Sequence, residues 1–416
     1  MAMTKRGVAI TIILVVALVG AAVGIFVFVR QQAVPTFVAP TIQPPPPPPT
    51  PTVPPPTTVA PPPPLAPPPT NFFAPQNDQI VRCTGSEPTE LSINCSQLTF
   101  PNPNTAEAAY LSRKDNPVDA FVGSSLIGAT NGTYIAVDTN QVSPAVLAEL
   151  GRVLVNKAAP IRILGGVVAV SDNVINQLLA AGYTDVARIF GPNRNATAAK
   201  IAEEIIRVNA AAGGNQIRSF VLSENQFLVD AYGVGPSLSG KAPNTRLGYI
   251  LLADRGSSVL PQVTVDFLDQ HPELVVADLV GGDKAINPQV ESYLRTRMAI
   301  VTRTADVDRY WTNYRWLQRK YSQDPVGAVL GNGDPNKAPG GNELYSLQAG
   351  SAMASMTGFP LLLMMPDNMP EGQCIFLHTY NLAITGAGLS GNFSDITPAG
   401  EAEVQALISG RHPVCP

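Results

Sequence analysis

Short apolar runs that end in glycine, each followed by apolar positions at helical spacing, recur along the chain beyond residue 79. Ile163-Leu164-Gly165-Gly166-Val167-Val168-Ala169-Val170-Ser171 and Leu279-Val280-Gly281-Gly282-Asp283-Lys284-Ala285-Ile286-Asn287 share an apolar run, a Gly-Gly pair, an Ala, an apolar residue and a polar helix cap. Val174, Ile175 and Leu178 follow the first copy and Val290, Tyr293 and Leu294 the second. The pattern predicts a strand, a glycine turn and a capped helix. A second block aligns without gaps: Arg188-Ile189-Phe190-Gly191-Pro192-Asn193-Arg194-Asn195-Ala196-Thr197-Ala198 on Arg303-Thr304-Ala305-Asp306-Val307-Asp308-Arg309-Tyr310-Trp311-Thr312-Asn313. It reads as a two-arginine motif with a turn, opening a helix that carries Ile201, Ala202 and Ile205 in one copy and Tyr314 and Leu317 in the other.

A third, more divergent copy is readable after residue 325. Val326 to Gly333, ending in Gly331-Asn332-Gly333, reads as a buried strand and turn; Leu344 to Met356 as a helix; Pro360-Leu361-Leu362-Leu363-Met364-Met365 as a buried strand; and Leu382 to Gly386 as the strand before a last glycine turn. Near the start, Arg82-Cys83-Thr84-Gly85 with Thr105 to Ala109 looks like the same two-arginine motif, stretched by an insertion. Motifs beginning at Arg82, Arg188 and Arg303 divide the chain into repeats at 79–187, 188–302 and 303–416. Alternation of short apolar strands with helices predicts an α/β fold with parallel sheets.

With the two-arginine motif and the Gly-Gly strand read together, the chain resembles the cell wall-binding repeat 2 family. That family's unit opens with Arg-x-x-Gly-x-x-Arg-Tyr-x-Thr-Ala, continues through a Pro-Ile-Leu-Leu strand and closes with a Gly-Gly strand. Arg309-Tyr310 keep the second half of that opening, whereas Asn195 stands for the Tyr after Arg194. The Pro-Ile-Leu-Leu strand survives best as Pro360-Leu361-Leu362-Leu363. The resemblance implies three Rossmann-like, flavodoxin-like modules around a pseudo-threefold axis, holding an exported protein to anionic wall polymers of a Gram-positive-type envelope. It implies no cofactor and no catalytic residues.

The N-terminal segment sets the compartment. Val8 to Val29 carries no charge, and as a helix its 22 residues reach ~33 Å, which suits a bilayer core. Lys5 and Arg6 precede the run, so residues 1–7 are expected in the cytoplasm and the rest outside, with 8–29 as a single-pass transmembrane helix. Residues 30–78 form a proline-rich linker, since 20 of the 41 prolines fall between 35 and 75, and proline favours an extended polyproline II stalk. From residue 77 onward 24 basic residues face 31 acidic ones, a net charge of −7, which argues against a nucleic-acid partner.

Cysteines suit an oxidising exterior. Pairing Cys83 with Cys95 and Cys374 with Cys415 closes the shortest loops, although four cysteines allow three pairings and the spacing of Cys374, His378, His412 and Cys415 also admits zinc. Gly386-Ala387-Gly388-Leu389-Ser390-Gly391 satisfies the dinucleotide fingerprint, yet too little chain follows for the ribose half of such a site, so it reads as a turn. The three histidines are far apart and no nucleophile elbow or zinc-protease motif occurs. Arg188, Arg194, Arg303 and Arg309 could grip an acidic polymer or bridge modules. The ligand is expected beyond the carboxyl ends of the strands, at Gly165-Gly166 with Ser171, Gly281-Gly282 with Asn287, and Gly331-Asn332-Gly333. The reading is a membrane-anchored wall-binding protein; a protein-protein scaffold of the envelope is the alternative, and an envelope hydrolase the third choice.

Overall fold

The computed structural model describes residues 79–228, 230–242, 245–321, 323–334, 343–411 and 415. The apolar run 8–29 and the linker 30–78 lie outside the described residues. Among the described residues, no helix is long and apolar enough to cross a membrane.

The chain opens with β1 (Gln79–Cys83) and α1 (Pro88–Thr99). It continues through β2 (Ala108–Arg113), α2 (Val118–Val122), α3 (Ser124–Ala129), β3 (Gly132–Val137), α4 (Pro144–Val153), β4 (Ile161–Leu164), α5 (Asp172–Ala180) and β5 (Val186–Ile189). Then α6 (Arg194–Ala211) leads to β6 (Ser219–Glu224), α7 (Val234–Ser237), β7 (Ile250–Ala253), α8 (Gln262–Gln270), β8 (Val276–Val280), α9 (Pro288–Arg297) and β9 (Ile300–Thr304). Finally α10 (Arg309–Lys320) leads to β10 (Ala328–Asn332), α11 (Glu343–Thr357), β11 (Leu361–Met364), α12 (Glu371–Thr379), β12 (Gly386–Ser390) and α13 (Pro398–Ile408).

These strands make three four-stranded sheets, ordered β3-β2-β4-β5, β7-β6-β8-β9 and β11-β10-β12-β1. Every pairing is parallel. Each sheet runs second, first, third, fourth strand, the flavodoxin-like order, and each puts a switch point between its two central strands. Parallel strands covered on both faces read as unbroken apolar runs, and Ile250–Ala253 and Leu361–Met364 are buried throughout. Of the two polar caps read from sequence, Asn287 accepts a backbone amide of the first helical turn and Ser171 does not, while Asn193, Asp308 and Thr397 cap their helices in the same way as Asn287, which satisfies donors a helix leaves unpaired.

The units join by exchange of a strand and a helix. Strand β5, which carries Arg188, completes the first sheet, and α6 after it crosses to pack on β7 and α8 of the second; β9 and α10 repeat this between the second and third. β1 completes the third sheet, pairing Gln79–Cys83 with Gly386–Ser390, while α1 packs on β3 and α4 of the first. The beginning of the described chain therefore closes the ring. The sheets divide the chain one strand later than the two-arginine motifs do. At the centre α3, α7 and α11 each touch the other two. Small residues allow this: a Cβ on Gly128 would lie 2.3 Å from the Ser355 carbonyl oxygen, one on Gly235 2.5 Å from Ser124 Cβ, and Ser351 Oγ sits 2.9 Å from Ser124 Oγ. One continuous core includes side chains from all three sheets.

One segment corrects the sequence reading. Gly386 to Ser390 is itself the central strand β12, held between β1 and β10, and only Gly391 turns. The segment expected as the strand is displaced: Leu382 is 95% exposed. Small residues serve β12 because α11 lies against it, with Ser346 Oγ donating to the Ser390 carbonyl and Ser390 Oγ to that of Ser346. The dinucleotide-like spacing is thus a packing pattern.

Both disulfides are the local ones, Cys83–Cys95 and Cys374–Cys415, leaving no free cysteine among the described residues. The first ties the end of β1 to α1 across a separation of 12 residues. Replacing Cys83 and Cys95 by Ser should lower the unfolding free energy by about 3 kcal/mol in urea titrations, and a reductant should add little to the Cys83–Cys95 loss beyond the effect of opening Cys374–Cys415.

Candidate functional site

The third strand of each sheet ends in a glycine of positive φ: Gly165 at 109°, Gly281 at 124° and Gly391 at 118°. Side-chain residues rarely adopt this conformation, so the glycine is needed for the backbone to reverse there. The third copy of the turn is therefore Ser390-Gly391-Asn392. Gly331, Asn332 and Gly333 instead end β10, and the registers Leu111 to Ile163, Leu222 to Leu279 and Leu330 to Leu389 align them with Ser112-Arg113-Lys114 and Ser223-Glu224-Asn225. Gly166 and Gly282 have room beside them, since a Cβ would meet Phe190 Cδ2 at 3.7 Å in the first case and nothing within 4 Å in the second. Ser171 occupies the cap position of α5, but its hydroxyl is buried without a partner, whereas Asn287 Oδ1 accepts from the Gln289 amide at 3.0 Å.

The first arginine of each motif holds this turn. Arg188 donates to the Gly165 carbonyl at 2.9 Å and to Asp172, Arg303 to the Gly281 carbonyl at 2.8 Å and to Glu291, and Arg82 to the Gly391 carbonyl at 3.1 Å and to Glu401. The second arginine crosses between units: Arg194 reaches the Asn225 carbonyl and Arg309 the Gly333 carbonyl, both at 3.0 Å. Pro360, Leu361, Leu362 and Leu363 lie in the core, where Asn313 of α10 donates to the Leu361 carbonyl.

An acid packs against each turn glycine. A Cβ on Gly165 would lie 2.7 Å from Asp119 Oδ2, one on Gly281 3.1 Å from Asp230 Oδ2, and one on Gly391 2.9 Å from Asp395 Oδ2. Burial raises all three carboxyls above the usual range, Asp119 to about 6 even with Arg194 and Arg113 near it. In the third copy Asp395 accepts from the Asn392 amide at 2.8 Å. The aligned residues in the other copies are Ala169 and Ala285, and the aligned amides of Gly166 and Gly282 have no acceptor within the described chain.

Beyond the first sheet these features border an open cleft of about 400 Å³. It is lined by Arg113, Asn116 and Asp119 after β2, Gly166 to Ala169 after β4, and Phe190 to Arg194 before α6. Arg113 pairs with Asp115 through two bonds of 2.5 Å. Val167, Val168 and Phe190 form an apolar rim, 49%, 83% and 47% exposed. The cleft lies at the carboxyl edge of a parallel sheet, where open α/β folds bind ligands. Two guanidinium groups, an unpaired amide and an apolar rim equip it for an acidic group carried on a sugar-like body.

Residues 188–291 match the sequence profile of Cell wall binding domain 2 (CWB2). Over these residues the chain is similar to CWB2. The match starts at Arg188 and ends inside α9, so it spans the crossing helix α6 and strands β6, β7 and β8. Two solved structures share the fold. Cwp6 from Clostridium difficile superposes with a TM-score of 0.67 at 16% identity, over 80% of this chain and 48% of that one. Cwp8 from Clostridium difficile gives 0.68 at 19% identity, over 80% and 52%. The chain thus spans about half the length of these proteins. No curated protein matches it in sequence.

The acids escaped the sequence reading. A signal existed for two of them, because Asp119 and Asp230 each stand six residues beyond the aligned strand ends Arg113 and Glu224; in the third copy the acid comes from the turn itself. Two outcomes follow. Gly165→Ala should cost about 1–3 kcal/mol in denaturant unfolding, while Gly166→Ala should stay within about 0.5 kcal/mol. An acid whose folded pKa is raised makes the fold lose stability as pH climbs from the unfolded value of 3.8 to about 6. Asp119→Asn should therefore gain on the wild type across that window, and not below it, when stability is measured against pH.

Proposed function

We propose that this chain is an extracytoplasmic wall-binding protein, retained on an anionic wall polymer by the cleft at the carboxyl edge of its first sheet. Residues 8–29 anchor it in the membrane, and the proline-rich linker 30–78 spaces the binding units from that anchor. The observation that carries the reading is the cleft where Arg113 and Arg194 face the Gly166 turn, in a chain similar to CWB2 over residues 188–291. An overall charge of −7 beyond residue 77 does not oppose it, because screening limits distant charges to about 8–10 Å at physiological salt. The role is binding: the first arginine of each motif spends its donors on a turn carbonyl and a helix acid, which makes Arg188 and Arg303 supports of the turns. Arg194 and Arg113 line the cleft directly.

A second reading, a scaffold for another envelope protein, draws on the exposed rim of Val167, Val168 and Phe190. Cosedimentation of the full-length protein with purified walls, before and after the anionic polymers are stripped, separates the two. Retention should fall on stripped walls, and Arg113→Ala or Gly166→Leu should weaken binding to intact walls by roughly tenfold. Equal retention on stripped walls, unchanged by both substitutions, would leave the scaffold reading standing.

A further inference from the structure

The three places where α1, α6 and α10 each meet the sheet that follows them are built alike and filled differently. In each, the amide after the first strand donates to the last carbonyl of the second: Lys114 to Val137 at 2.9 Å, Asn225 to Ala253 at 2.9 Å and Gly333 to Met364 at 2.8 Å. That bond aligns Lys114 with Asn225 and Gly333, and Asp138 with Asp254 and Met365, and the second residue of each helix adds Thr89, Asn195 and Tyr310. At the first joint Lys114 forms ion pairs with Asp138 at 2.8 Å and with Glu87 at 2.9 Å. At the third the ring of Tyr310, 8% exposed, occupies the space, and a Cβ on Gly333 would come within 3.0 Å of it.

At the second joint the ring is absent. Asn195 Nδ2 donates to Asp254 Oδ1 at 2.8 Å, Asn225 Nδ2 to the same oxygen at 2.6 Å, and Asn225 Nδ2 also to Asn195 Oδ1 at 3.1 Å. These short side chains form a floor but do not fill the joint, which opens as a cleft of about 710 Å³ with Gln226, Arg255 and Gln262 in its walls. The volume is within the range of small-ligand sites. Arg194 donates to the Asn225 and Gln226 carbonyls. Arg255 stands 3.8 Å from Glu224, a fully buried carboxylate that also accepts the amides of Gln226, Phe227 and Leu228.

We propose that this cleft binds a neutral oligosaccharide, at a site that adjoins the anion cleft of the first sheet and shares Asn193 and Arg194 with it, and that does not depend on the function proposed for that cleft. Asp254 Oδ2 and the side-chain amide of Gln226 make no hydrogen bond within the described chain, so an acceptor and a donor-acceptor pair face the opening. Sugar hydroxyls both donate and accept, and match that set, whereas a free anion would lie beside the Asp254 carboxylate. Amide-lined walls also suit the acetamide group of an N-acetylated hexose.

The test is calorimetric titration of the full-length protein, in a zwitterionic detergent, with tetra-N-acetylchitotetraose, cellotetraose and poly(glycerol phosphate). One or both neutral tetrasaccharides should bind, and Asn195→Tyr, which places the third joint's ring in the second, should weaken that binding at least about tenfold. Gln226→Ala, on the exposed wall, should weaken it severalfold with an unchanged melting temperature, which covers the case in which the tyrosine variant folds poorly. Retention on anionic walls should be the same in both variants, so failure of the anion reading would leave this result intact. No binding of either tetrasaccharide at millimolar concentration, unchanged affinity in Gln226→Ala, or displacement of the tetrasaccharide by poly(glycerol phosphate) would overturn the proposal.

Discussion

Close approach of three helices through glycine and serine is the constraint on which the rest of this structure depends. α3, α7 and α11 touch where Gly128 faces the Ser355 backbone and Gly235 faces Ser124. Even a methyl group there would come within 2.3 Å or 2.5 Å of the facing helix, so two helices would have to part, and close-packed interiors absorb such volume poorly. Because the helices meet, the inner faces of three small sheets can share one core; each sheet alone, with four strands of four to six residues, would bury much less. Some polar side chains of these helices pair locally, as when Trp316 Nε1 donates to Ser237 Oγ at 3.0 Å, whereas those of Ser125, Gln348 and Ser355 are buried without a partner among the described residues.

With the axis so restricted, variation has gone to the rims. The same acid is supplied by the segment after the first strand in two units and by the turn in the third. The same joint is closed by a lysine between two acids, left open over three amide and carboxylate groups, or filled by a tyrosine. An aromatic ring and a glycine must go together at such a joint, as must two asparagines and an aspartate, so changes there come in sets. A fold of three copies offers three chances to keep a site, and here the copies have been put to different uses without disturbing the centre.

The glycine turns, the paired arginines and the α/β alternation were legible because each depends on local chemistry: a positive φ, a capped helix, an apolar run. Partners were not. Arg188 and Arg194 look alike in sequence, yet one reaches a carbonyl 23 residues earlier and the other a carbonyl 31 residues later, and only the packing of β5 and α6 on different sheets separates them. β12 was hidden for another reason. A strand written in Gly, Ala, Ser and a single Leu has no hydrophobic signature, because its neighbour α11 demands small residues. Likewise the offset that Asp119 shares with Asp230 gives its place in the repeat, but its burial follows only from the folding of Gly165 against it.

The placement of β1 sets where force enters the molecule. Whatever pulls on the chain ahead of Gln79 acts first on an edge strand, which taken alone would be the weakest attachment in the fold. The bond between Cys83 and Cys95 changes the load path: tension passes from the end of β1 covalently into α1, and so into the first sheet, while β12 still grips the strand from the third. A tug that frees β1 from β12 would open the ring at one seam without releasing the tether, and the strand would remain beside its partner, able to zip back when the tension falls.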